Sequence, residues 1–81
     1  MTLGQMENKV KELFAVILQR PAEEIQDASA PADFENWDSF QHLVLVSGFE
    51  EEFGIEIEPE EIAEMYKDFR TFKGVVMRKL G

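Results

Sequence analysis

The sequence predicts an all-α fold, a small four-helix bundle with a long loop between helices 1 and 2 and a short helix 3. Apolar residues recur at helical spacing in four stretches, helix-ending residues separate those stretches, and only one short segment alternates as a strand would. The chain has 81 residues, of which 44% are hydrophobic, enough for one packed core. We therefore expect a single domain over residues 1–81.

The first helix is predicted near residues 5–19. It should stop at Gln19-Arg20, because Pro21 cannot continue a helix. Its apolar stripe is formed by Met6, Val10, Leu13, Phe14 and Ile17.

About nineteen residues then lead to the second helix, and a loop of that length usually has a function or a structure of its own. Ile25, Phe34 and Trp37 are spaced to pin this loop to the core, with Trp37 as a lid over the loop–core junction.

The second helix is predicted over about residues 39–53, with Gly54 as its terminator. Asp38 is a good N-cap, and Gln41 three residues later suggests a variant of the capping box. Ser39 then lies in the first turn with its hydroxyl exposed. The free N–H groups and the positive end of the helix dipole favour an anion at this point, and a phosphate suits it.

The second helix has two apolar stripes, as a count of 100° per residue shows. One stripe faces the core and consists of Leu45, Val46, Phe49 and Phe53. The other begins next to Ser39 and consists of Phe40, Leu43, Val44 and Ser47. A domain this small has difficulty covering a helix on all sides, so we expect the second stripe to meet partner proteins or a bound acyl chain. Its burial by the loop and the third helix is the alternative.

The last two helices are shorter. Pro59 suits a first helical position, and the third helix is predicted near residues 59–67. Thr71 is predicted to cap the fourth helix, which continues to the C-terminus. Ile55 and Ile57 alternate with acidic residues but have no partner strand, so we expect an extended connector that turns both isoleucines inward. Tyr66 and Phe69 should close the third helix onto the core.

The charge is concentrated in the middle of the chain. The net charge is −9, while residues 21–68 alone carry −14 and residues 69–81 carry +4. An acidic middle repels nucleic acid and anionic membranes and attracts basic partner surfaces. No signal peptide and no membrane-spanning run is apparent, so we expect a cytoplasmic location. We also expect a monomer. The acidic stretch lacks the spacing of a calcium loop and cysteine is absent, so no metal site is expected.

Two parts of the second helix together resemble a known family. Asp38-Ser39-Phe40 opens the helix, and the sequence at and after its other end reads Phe49-Glu50-Glu51-Glu52-Phe53-Gly54-Ile55. This is similar to the acyl carrier proteins, whose signature is Asp-Ser-Leu at the second helix followed by an acidic, Phe-containing end. The resemblance covers most of the chain.

The resemblance implies that Ser39 carries 4'-phosphopantetheine in phosphodiester linkage, while Asp38 caps the helix and orients the arm. The thiol of the arm would hold acyl groups as thioesters, so the protein is expected to be a carrier and not an enzyme. Its partners would be a phosphopantetheinyl transferase and acyl-loading and acyl-transfer enzymes with basic docking surfaces. The expected partner-binding residues are Phe40, Leu43, Val44, Ser47, Glu50 and Glu51.

The sequence also departs from the family pattern. Phe40 replaces the usual leucine and Gln41 the usual acid. The stretch before the serine reads Phe34-Glu35-Asn36-Trp37 instead of the common Leu-Gly pair. Val44 and Ser47 stand where the fatty-acid biosynthesis carriers have glutamate and methionine. We therefore expect a specialised stand-alone carrier of a lipid, envelope or secondary-metabolite pathway.

Two other functions remain open at this point. The chain could be an unmodified acidic module of the same fold that binds a basic partner. It could also be a small hydrolase, because Asp38, Ser39 and His42 contain the three residue types of a triad. Against catalysis, no oxyanion loop is apparent, and His42 is expected to be an exposed or partly packed surface residue.

Overall fold

A computed structural model describes residues 2–81, and it confirms the all-α four-helix bundle with a long first loop and a short third helix. The helices are α1 (Leu3–Leu18), α2 (Ser39–Phe53), α3 (Pro59–Met65) and α4 (Phe69–Leu80). Two short 3-10 turns, Ala22–Glu24 and Pro31–Asp33, lie in the loop between α1 and α2. The bounds of α2 are those that the sequence predicts, whereas the other helices differ from prediction by a few residues.

The first helix begins and ends earlier than predicted. Thr2 and Gln5 form a capping box, in which each side chain accepts a backbone N–H of the other, so α1 begins at Leu3. At the other end, Gln19 adopts the left-handed conformation with φ of 61°, and its N–H returns to the last turn of the helix. The helix therefore ends at Leu18, before Pro21 exerts any restriction.

The predicted start of the fourth helix at Thr71 is wrong. Asp68 is the N-cap, because its carboxylate accepts the Thr71 N–H at 2.8 Å, and α4 begins at Phe69. Carbonyls of the long loop accept the N–H groups of the first two residues of the helix. Phe69 N donates to the Ser29 carbonyl at 2.7 Å, and the N–H of the following residue donates to the Asp27 carbonyl at 2.9 Å. The third helix is also shorter than predicted, ending at residue 65.

Aromatic side chains form the centre of the core. The ring of Phe14 in α1 makes edge contacts with Trp37 at 5.1 Å, with Phe69 at 4.8 Å and with Phe72 at 5.1 Å between centroids. Edge-to-face pairs of this kind add to the stabilisation that burial alone provides. Trp37 is only 1% exposed, so it lies within the core and is not the lid that the sequence suggested.

The loop and the connector bury the residues that the sequence assigned to them. Ile25 and Phe34 are buried and hold the first loop against the helices. Ile57 is buried and Ile55 is half-buried, so the connector after α2 turns both isoleucines inward. Tyr66 packs against the core at the end of α3.

Basic residues of α4 form ion pairs with the loop and with α3. Lys73 lies 2.9 Å from the carboxylate of Asp27, while Glu61 pairs with Lys79 at 2.7 Å and with Arg78 at 3.0 Å. The hydrogen bond from Lys79 is the main reason that the pKa of Glu61 falls to about 2. The basic C-terminal segment therefore fastens the long loop and α3 to α4.

Candidate functional site

The site begins with the entry to α2, where the chain turns from extended backbone into the helix. Asp38 is extended, with φ of −106°, and its carboxylate accepts the Gln41 N–H at 2.8 Å. Ser39 is therefore the first helical residue and is exposed, as the sequence predicts. Ser39 therefore lies on the surface at the start of α2.

The start of α2 leaves hydrogen-bond donors available. Within residues 2–81, the N–H groups of Ser39 and Phe40 have no acceptor, because the Asp38 side chain serves only the third residue of the helix. At the start of α4 the loop carbonyls occupy the corresponding N–H groups. The free donors and the helix dipole of α2 therefore favour an anionic group on or beside the Ser39 hydroxyl.

The reciprocal half of the predicted capping box does not form. The side-chain amide of Gln41 donates to the Ile17 carbonyl at 3.1 Å and does not return to the backbone of Asp38. Asn36 donates its side-chain amide to the Leu18 carbonyl. Both acceptors are carbonyls at the end of α1 that the helix itself cannot satisfy. Two amides that flank Asp38-Ser39 therefore tie this segment to α1.

The second apolar stripe of α2 is exposed. Phe40 is 75% exposed, Leu43 54% and Val44 40%, and Ser47 is exposed as well. These residues line one shallow groove together with Gly48 and Glu51. The first stripe points inward, with Leu45, Val46 and Phe49 buried and Phe53 packed against them. The alternative, in which the loop and α3 bury both stripes, is therefore excluded.

The two glutamates at the end of α2 have different surroundings. Glu51 is exposed at the edge of the groove. Glu50 is half-buried, and one of its carboxylate oxygens accepts the Ile57 N–H at 3.0 Å. Glu50 therefore holds the connector after α2 through one of its carboxylate oxygens.

The expectation that His42 is a surface residue is wrong. His42 is 4% exposed, because it lies on the core side of α2. Its Nδ1 accepts the indole N–H of Trp37 at 3.1 Å, and its Nε2 lies 2.8 Å from the Ile62 carbonyl. With both nitrogens engaged inside the protein, the imidazole cannot accept the proton of the exposed Ser39 hydroxyl. The geometry offers no Ser–His pair for the hydrolase hypothesis.

In residues 2–81, no cluster of three histidine, aspartate or glutamate side chains could hold a metal ion. None of the helices in this range is long and apolar enough to cross a membrane.

Comparison with known families agrees with this geometry. The family described as the phosphopantetheine attachment site matches residues 8–76, most of the chain. The chain belongs to the phosphopantetheine attachment site family. A search of the curated proteins found no significant match. The resemblance to acyl carrier proteins is thereby confirmed, and the cofactor of the domain is covalently attached 4'-phosphopantetheine.

The start of α2 suits such a group. An exposed hydroxyl can form the ester, and the two free N–H groups beside it can stabilise the charge of the linking phosphate. As a member of this family, the chain is a carrier that interacts with a phosphopantetheinyl transferase and with partner enzymes.

Proposed function

We propose that this chain is a carrier domain in which Ser39 holds 4'-phosphopantetheine, and that it presents acyl thioesters to the enzymes of a specialised lipid, envelope or secondary-metabolite pathway. Residues 1–81 would act as one cytoplasmic, monomeric domain without catalytic activity of its own. The observation that supports this most directly is the exposed hydroxyl of Ser39 at the first position of a helix with free N–H groups.

The attachment follows from the chemistry of the serine. The Ser39 Oγ forms a new bond to the phosphorus that carries pantetheine in coenzyme A, while the bond to the neighbouring phosphate breaks and adenosine 3',5'-bisphosphate leaves. The transferase takes the hydroxyl proton. The bound arm supplies a thiol, which a chain without cysteine lacks. Asp38 then keeps the helix start, and with it the phosphate position, fixed.

Partner recognition is assigned to the exposed stripe of α2. An apolar patch rimmed by acid is typical of a docking surface for a partner with a basic rim. The surface consists of Phe40, Leu43, Val44, Ser47 and Glu51, and we add the half-buried Glu50, which precedes Glu51 in α2. Its position directly after Ser39 would bring the arm and the docked enzyme together.

Intact mass spectrometry after incubation with coenzyme A and a broad-specificity phosphopantetheinyl transferase tests this proposal. We expect the wild-type protein to gain one phosphopantetheine and Ser39→Ala to gain none. Ser29→Ala is the control, because Ser29 lies in the long loop, outside the proposed docking surface, and this variant should gain the group as the wild type does.

Failure of the folded wild-type protein to gain mass would contradict the assignment of Ser39. The exposed stripe would then support the unmodified binding module, since Phe40, Leu43 and Val44 remain exposed whether or not Ser39 is modified.

A further inference from the structure

A buried imidazole beside the attachment segment has no role in the carrier function described above. His42 contacts three parts of the fold. The residue belongs to α2. Its Nδ1 accepts the indole N–H of Trp37 in the loop at 3.1 Å, and its Nε2 lies 2.8 Å from the Ile62 carbonyl of α3. Trp37 lies two residues before Ser39, so His42 connects the attachment segment with α3 through a single side chain.

The two hydrogen bonds fix the tautomer of His42. An indole nitrogen is only a donor, so Nδ1 of His42 must accept and carries no proton. A carbonyl is only an acceptor, so Nε2 carries the hydrogen and donates to Ile62. The ring is therefore neutral, with its proton on Nε2. A second proton on Nδ1 would oppose the Trp37 N–H and remove that hydrogen bond.

We propose that His42 is a positioning residue for the attachment segment. Its neutral ring holds Trp37, two residues before Ser39, and fastens α2 to α3. Protonation of the ring releases Trp37. The first part rests on the hydrogen bonds alone. The effect on arm attachment rests on the proposed function of Ser39.

The groups that face His42 favour the neutral ring. Besides Trp37, they are the Tyr66 ring directly after α3, at 4.8 Å, and the Phe72 ring of α4, at 5.9 Å between centroids. Tyr66 is the titratable group among them. Within residues 2–81, no carboxylate or cation contributes to the change in the pKa of His42. Burial therefore lowers the pKa of His42 below its usual value of 6.5, with the Ile62 carbonyl opposing it.

The sign of the pH dependence follows. The unfolded chain takes up the proton near the usual pKa of 6.5, whereas the folded protein takes it up at lower pH. The contribution of His42 to stability is thus complete above pH 6.5 and is lost as the pH falls from that value toward the lowered pKa of the folded state.

Proton and nitrogen NMR of the unmodified protein tests the first part, because the chain contains one histidine and one tryptophan. We expect the ring of His42, the indole N–H of Trp37 and the amide of Ser39 to shift together, with a common midpoint below pH 6.5. The same midpoint should be absent from Trp37 and Ser39 in His42→Gln, which cannot titrate. Titration of His42 at its usual pKa, or a Trp37 indole that does not follow it, would overturn the proposal.

Two non-titrating variants separate the two hydrogen bonds. In His42→Asn the side-chain oxygen takes the place of Nδ1 and can accept from Trp37, whereas in His42→Gln the amide nitrogen takes the place of Nε2 and can donate to Ile62. We expect the Asn variant to keep a Trp37 indole shift near that of the wild type and the Gln variant to lose it. If both variants kept it, the hydrogen bond would not be what holds Trp37.

The rate of phosphopantetheine transfer tests the consequence for Ser39. The ratio of the wild-type rate to the His42→Gln rate cancels the pH dependence of the transferase itself. We expect this ratio to fall as the pH is lowered from about 8 to about 5, because protonation of His42 removes the advantage of the wild type. A constant ratio would show that His42 does not position Ser39. Absence of transfer to either protein would instead contradict the proposed function and leave the NMR result intact.

Discussion

At the scale of single residues, two neighbours on α2 have opposite tasks. Ser39 presents its hydroxyl to solvent, and His42, three residues later, directs its ring into the core. The burial of His42 could have been predicted. A count of 100° per residue from Phe40 places His42 at roughly 200°, within the stripe that contains Phe49 and Phe53. The hydrogen bond to Trp37 could not, because it depends on where the long loop returns to the helix.

The proposed role in a specialised pathway predicts the effect of one substitution in α2. Val44 is 40% exposed in the groove, at the position where the fatty-acid carriers have glutamate. We expect loaded Val44→Glu to serve an enzyme of general fatty-acid synthesis better than the loaded wild type. One added surface charge pair contributes up to about 1 kcal/mol, which corresponds to roughly fivefold in kcat/KM.

Val44→Gln is the matched control for this comparison, since it has the shape of the glutamate without the charge. An equal gain in the Gln variant would assign the effect to polarity and not to charge. Full activity of the unaltered protein with such an enzyme would contradict the specialised assignment.

At the scale of elements, the interiors of the helices follow from the sequence better than their ends. Both stripes of α2 lie where the spacing predicts, and so does the α1 stripe at Val10, Leu13, Phe14 and Ile17. The start of α4 was mispredicted because Asp68 and Thr71 are both good caps, and sequence alone does not choose between them. The long loop determines the start of α4, because its carbonyls at Asp27 and Ser29 accept the first N–H groups of the helix.

Two glycines give a matched pair of stability predictions. A methyl group added at Gly74 in α4 or at Gly54 after α2 meets nothing within 4 Å, but Gly54 has φ of +63°. Gly74→Ala should stabilise the protein by about 1 kcal/mol, because alanine has the higher helix propensity. Gly54→Ala should destabilise it by about 1 kcal/mol, because the left-handed conformation disfavours a side chain.

Thermal denaturation followed by circular dichroism measures both effects. A change of 1 kcal/mol corresponds to about 4–8 °C in Tm for a domain of this size. Equal shifts in the same direction for the two variants would contradict the conformational explanation.

At the scale of the whole molecule, charge is distributed unevenly over the surface. Basic residues of α4 pair with Asp27 of the loop and Glu61 of α3. Within residues 2–81, no basic side chain pairs with Glu50, Glu51 or Glu52 at the end of α2. The acidic surplus that the sequence reveals is thus left beside the exposed apolar stripe, where it can attract a basic partner.

The acidic surplus predicts a dependence of stability on salt. With a net charge of −9, like charges repel one another in the folded state, and added ions screen that repulsion. The exposed ion pairs lose stability in salt, but each contributes only about 0–1 kcal/mol. We therefore expect Tm to rise when sodium chloride or magnesium chloride is added. A constant or falling Tm would show that repulsion does not limit the stability of this fold.

The central claim is that Ser39 holds the phosphopantetheine arm, and peptide mapping of the loaded protein by tandem mass spectrometry tests it most directly. We expect one phosphopantetheine per chain, on the peptide that contains Asp38-Ser39-Phe40, with fragment ions that place it on Ser39. A modified Ser47 or Ser29, or a folded protein that an active transferase leaves unmodified, would contradict the account.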